Sequence, residues 1–85
     1  MKSILFCQNN YAFGILEPIK QVLIEKGYDY IWYVSKKSTK HFPFYSENCT
    51  TKISDLEVFN GDAIFVPGNA IPYYLRGLKV QVFHG

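Results

Sequence analysis

The side chains best suited to chemistry stand at the end of the run Leu78-Lys79-Val80-Gln81-Val82-Phe83-His84-Gly85. An imidazole titrates near neutral pH, so His84 suits a general base that takes a proton from an attacking hydroxyl. Gly85 lets the chain turn tightly behind it, which would face the ring toward a crevice. The same residue could equally cap a loop with no chemical role, and the bare residues leave both readings open. Asn9, Asn10 and Tyr11, and further on Gly68 and Asn69, could bind hydroxyl or phosphate groups of a substrate. Turn formation and helix capping are their competing uses.

Several chemistries are excluded by what is missing. No GxGxxG is present, Gly14 standing alone, so the close backbone approach that a dinucleotide pyrophosphate needs is not supplied. No GxxxxGK[ST] cradles a triphosphate and no GxSxG presents a nucleophilic serine. Gln8-Asn9-Asn10 lacks the acidic side chains with which a phospho-receiver domain would hold magnesium. Cys7 and Cys49 share no CxxC or Cys/His spacing, which argues against zinc, and Cys7 reads as a small buried hydrophobe. The sequence thus implies no metal and no cofactor.

Composition sets the frame. Eighty-five residues make at most one small domain, with 48% hydrophobic and 19% charged residues as in ordinary globular proteins. A net charge of +2 is too small to imply nucleic acid. Lys36, Lys37, Lys40 and His41 form the basic concentration; it reads as a solvated loop or as a contact for an anionic membrane surface or a phosphate-rich polymer. The aromatic content, 18%, fits core packing or a sugar- or nucleotide-binding surface. Met1-Lys2-Ser3 precedes too short an apolar run for a signal peptide or a membrane span, so a cytoplasmic protein with reduced thiols is expected, with peripheral attachment to the inner face of the membrane open.

The elements that must position these residues alternate. Ile4–Cys7 reads as a buried strand. A helix follows, with Leu16, Ile19 and Leu23 on its apolar stripe, Ile15 and Val22 beside it, and Lys20, Gln21 and Glu25 opposite. Pro18 is tolerated in a first turn, which predicts a start between Gly14 and Glu17, and Gly27 is the stop. Tyr30–Val34 is the clearest strand. Residues 35–51 are irregular, with an edge strand near Phe44 or Lys52-Ile53, Pro43 arguing against a central one. Ser54 and Glu57 have capping-box spacing, predicting a helix over 55–59 closed by Asn60-Gly61. Ala63–Val66 is a strand, Ile71–Arg76 a short helix carrying Tyr73 and Tyr74 against the sheet, and Leu78–Phe83 a last strand, polar on the Lys79 and Gln81 face as at an edge. The sum is an α/β fold: a Rossmann-like open, mostly parallel sheet with flanking helices. In such a sheet ligands bind beyond the strands' carboxyl ends, a rule that gathers residues 8–11, 35–37, 67–69 and 84–85 on one rim.

Gly61-Asp62-Ala63-Ile64-Phe65-Val66-Pro67-Gly68-Asn69, a Tyr-containing short helix, and Lys79-Val80-Gln81-Val82-Phe83-His84-Gly85 together resemble the N-terminal half of CDP-glycerol glycerophosphotransferases. The likeness extends over the whole chain, its specific part being the final strand with His-Gly; Phe83 stands where many members carry Trp. It implies a teichoic-acid-type transferase of GT-B fold, of which this chain would be the truncated, acceptor-side domain. CDP-glycerol would bind a C-terminal domain outside the chain, and His84 would be the base that activates the acceptor hydroxyl. By itself the chain would be inactive. Two other readings stand beside this one: a GT-B glycosyltransferase or epimerase using a nucleotide sugar, and a stand-alone flavodoxin-like binding module.

Overall fold

The computed structural model describes residues 1–8, 12–42, 48–67 and 75–82. Its centre is β1 (Lys2–Cys7), an apolar run paired in parallel on both sides. On one side lies β2 (Asp29–Val34), in register from Lys2 opposite Asp29 to Cys7 opposite Val34, and beyond it the two-residue β3 (Cys49–Thr50). On the other side lie β4 (Ala63–Val66) and then β5 (Leu78–Gln81). The sheet is open, all five strands are parallel, and their order is β3-β2-β1-β4-β5. This is the α/β Rossmann-like arrangement expected from the alternating elements.

Two helices cover opposite faces. Side chains alternate along β1, so Leu5 and Cys7 join Trp32 and Val34 under α1 (Ala12–Glu25), which contributes Phe13, Leu16 and Leu23. Ile4 and Phe6 turn the other way, toward Ile31, Ile64, Val66 and Leu56 of α2 (Ile53–Phe59). The connection from β1 to β2 and that from β3 to β4 run in opposite directions across the sheet. A constant right-handed crossover therefore sends their helices to opposite faces. The aromatic residues are largely packing material: Phe6 stacks on Tyr33 at 4.5 Å, Trp32 meets Phe13 and Phe42 edge to face at 6.4 and 5.6 Å, and Phe13 and Phe42 pack tilted at 5.2 Å.

Several boundaries differ from the sequence reading. α1 begins at Ala12, before the predicted start, so Pro18 lies past the first turn. Pro18 and Gly14, whose carbonyl loses its helical partner, are both exposed, and water can serve that carbonyl. Lys20, placed on the polar side by periodicity, is buried, while Val22 and Ile24 are exposed. The six residues Lys36–His41 form a 3-10 helix where an irregular loop was expected. The edge strand falls at Cys49–Thr50, between the two predicted places. Ser54 does not cap α2. Lys52 is the N-cap, without a side-chain bond, and Thr50 does the capping work instead: its Oγ1 accepts from the Lys52 amide at 3.0 Å and donates to Asp55.

At the far end of α2 the reading holds, for Asn60 closes it in the left-handed conformation with φ 55°. Leu75 and Arg76 are not helical, and the rest of the predicted helix over 71–76, Tyr73 and Tyr74 included, lies outside the described residues. Gly77 adopts φ +113°, and a Cβ there would meet the Gly61 carbonyl at 2.7 Å. Only glycine lets the chain enter β5 so close to the Gly61-Asp62 turn, where the Leu78 amide donates to Asp62 O at 2.9 Å.

Candidate functional site

Because all strands are parallel, their carboxyl ends share one rim. Gln8 follows β1, Ser35 follows β2, Thr51 follows β3, Pro67 follows β4 and Val82 follows β5. The chain runs from β1 to strands on one side, then crosses back to β4 on the other. The gap between the ends of β1 and β4 is therefore the topological switch point at which open α/β sheets receive ligands.

Of the residues singled out in the sequence, Asn9, Asn10, Tyr11, Gly68, Asn69, His84 and Gly85 lie outside the described residues. Their described neighbours in the chain, Gln8, Pro67 and Val82, stand at the ends of three adjacent strands, β1, β4 and β5. Val82 continues the ladder past β5, its amide donating to Val66 O at 2.7 Å.

The exit from β1 is fixed by serines. The Ser35 amide donates to Cys7 O at 3.1 Å, and Ser35 Oγ donates to Gln8 O at 3.0 Å. Ser38 Oγ lies 3.1 Å from Ser35 Oγ and 3.5 Å from the same carbonyl. Each hydroxyl has one proton, so Ser38 is free to donate to Ser35 Oγ once Ser35 has served Gln8. Ser38 is buried, and the pair ties the start of the 3-10 helix to the strand beside it. Phe42 ties its other end, its ring buried against Phe13 and Trp32. Lys36, Lys37 and Lys40 are left exposed between these two anchors.

Beside this mount, past the ends of β2 and β3, is a hollow of about 330 Å³. Val34 and Phe42 supply its apolar part, and Thr39, Thr50, Thr51, Lys52, Asp55 and the exposed Cys49 the rest. The sequence reading did not select these residues for a site; the pair Thr50-Thr51 just ahead of a helix was the one available signal. A second hollow, about 350 Å³, is lined by Leu56, Asn60, Leu75 and Arg76. Asn60 and Arg76 precede β4 and β5, so it opens at the amino-terminal end of the sheet, away from the ligand-binding rim. The smaller hollow is the one at the carboxyl ends of the strands.

Cys7 is buried, and desolvation pushes its thiol well above the ordinary value, so it remains a neutral thiol packed as a hydrophobe. Among the described residues no cluster of His, Cys, Asp or Glu could hold a metal ion, and no helix is long and apolar enough to cross a membrane. No family model matches the chain, and neither curated proteins nor solved structures give a match.

Proposed function

We propose that the chain is the acceptor-side part of a transferase that moves glycerol phosphate from CDP-glycerol to a hydroxyl acceptor, with His84 as general base. One observation carries the reading: β5 is a parallel strand whose carboxyl end lies on the ligand rim, and His84 follows Val82 by two residues. The resemblance of residues 61–69 and 79–85 to CDP-glycerol glycerophosphotransferases supplies the reaction. The acceptor oxygen attacks the β-phosphorus of the donor, His84 takes the hydroxyl proton, a new P–O bond forms, and the bond to the α-phosphate breaks to release CMP. The donor site belongs to a second domain across the cleft, and the enzyme works on the cytoplasmic side, at the membrane surface where its polymer grows.

The test is CMP release and polymer extension by the enzyme containing this chain, supplied with CDP-glycerol and a glycerol-phosphate acceptor. His84→Ala should lower turnover by about 10²–10⁴-fold, the range for losing a general base, with an unchanged circular dichroism spectrum. Activity within a few-fold of the parent would make His84 structural. Turnover with UDP- or CMP-sugars and none with CDP-glycerol would replace the donor class.

A further inference from the structure

We propose that the hollow between the end of α2 and the entry to β5 binds a free aliphatic α-amino acid, with its carboxylate on Arg76, its ammonium on Glu57 and its side chain over Leu56 and Leu75. Three observations carry this. The first is that the two walls are fixed to one another. Glu57 and Asn60 come from the last turn and cap of α2, Leu75 and Arg76 from the segment that leads into β5. Gly77, at φ +113°, brings that segment against the Gly61 carbonyl, and the Leu78 amide donates to Asp62 O at 2.9 Å. Lys79 Nζ donates to Leu75 O at 2.7 Å and holds the second wall from behind.

The second is the state of the polar groups. The charges around the hollow are engaged by the fold: Lys79 with Leu75 O, Lys2 with Phe59 O, and Asp62 with the Lys2 amide. The side chains that line it are not. Glu57, Asn60 and Arg76 are exposed, and none of the three makes a side-chain hydrogen bond or ion pair with another described residue. A carboxylate, a carboxamide and a guanidinium thus face one opening with their bonding capacity unused.

The third is the match of chemistry. The charges of the lining cancel, so a bare anion would meet Glu57 and a bare cation Arg76. A zwitterion satisfies both: its carboxylate takes the guanidinium fork and its ammonium donates to Glu57. Asn60 can donate to the one group or accept from the other. The floor is apolar, made by the buried Leu56 and Leu75, and suits an aliphatic side chain. The volume, about 350 Å³, lies at the low end of small-ligand sites, the scale of a single amino acid. The site stands at the amino-terminal end of the sheet, and nothing in its argument depends on the transferase reading.

The experiment is an amide-shift titration of the ¹⁵N-labelled chain at neutral pH and low ionic strength with L-leucine. Separate arms use N-acetyl-L-leucine, which lacks the ammonium, L-leucinamide, which lacks the carboxylate, and glycine, which lacks the side chain. Leucine should shift amides of residues 56–62 and 75–78 saturably, and each of the other three should bind more weakly. For the two charge-deleted arms the loss should be about tenfold or more, the scale of losing a charge-assisted contact. Arg76→Gln should remove the preference for leucine over leucinamide, and Glu57→Gln the preference over N-acetyl-leucine. Both variants change exposed side chains, and a dispersed spectrum verifies their fold. No saturable shift in these segments, N-acetyl-leucine or leucinamide binding as tightly as leucine, or preferences that survive the two variants would overturn the proposal. The titration involves no donor and no turnover, so its failure leaves the role of His84 to its own assay.

Discussion

Phe42→Ala would show whether the basic turn is held from within. Phe42 is 3% exposed, with its ring 5.2 Å from Phe13 and 5.6 Å from Trp32. Burying such a ring stabilises by about 1.5–3 kcal/mol, and two aromatic contacts add about 0.5–1.5 kcal/mol each. Truncation of a buried Phe accordingly costs about 3–5 kcal/mol. A chain of this size is stable by roughly 4–13 kcal/mol, so the variant gives up a large share of the total. The assay is urea unfolding followed by tryptophan fluorescence, since Trp32 is fully buried beside the deletion. At about 4–8 °C per kcal/mol, a loss of 3 kcal/mol also lowers Tm by roughly 12–24 °C. Phe42→Leu, which keeps most of the volume, should cost well under half as much. Hydrogen exchange adds the local readout: amides of residues 38–42 should exchange faster in the alanine variant than global destabilisation explains. A cost below about 1 kcal/mol, on the scale of an ordinary surface change, would mean that the ring is not packed as described and that the turn is not anchored.

Gly77→Ala should destabilise by about 1–3 kcal/mol, because φ +113° is strained for alanine and its Cβ would press on the Gly61 carbonyl; an unchanged unfolding midpoint would refute the close approach. Thr50→Val should cost about 1 kcal/mol by removing the bonds to the Lys52 amide and Asp55, whereas Ser54→Ala should be nearly neutral. The opposite ranking would restore the capping box that the sequence suggested. Cys49 should react with a thiol reagent in the native state and Cys7 only after unfolding; equal rates would contradict the burial of Cys7. The raised Cys7 pKa also has a sign in stability. The folded chain keeps this proton above about pH 9, where the unfolded chain loses it. Stability is therefore complete below that pH and falls as pH rises, by at most about 1.4 kcal/mol per unit, a slope that Cys7→Ala should remove.

The sequence alone determined the fold class. Short apolar runs at Ile4–Cys7, Tyr30–Val34 and Ala63–Val66 separated by helical periodicity leave few solutions besides a parallel sheet covered on both faces. It also located chain reversals that depend on one residue's backbone, such as Asn60. These signals are local, and neighbours along the chain suffice to express them. What only the tertiary structure decided is where distant segments meet. Lys20 is buried because it shares helical spacing with Phe13, Leu16 and Leu23, the face that α1 turns to the sheet, while Val22 and Ile24 point away. A Ser-Lys-Lys-Ser segment became a mounted basic turn because Gln8 O stands ready beside the end of β2. Spacing along the chain cannot encode those encounters; strand register and crossover create them. His84 was legible as a residue type after a strand, and the parallel order of β4 and β5 is what sends that strand's end to the ligand rim.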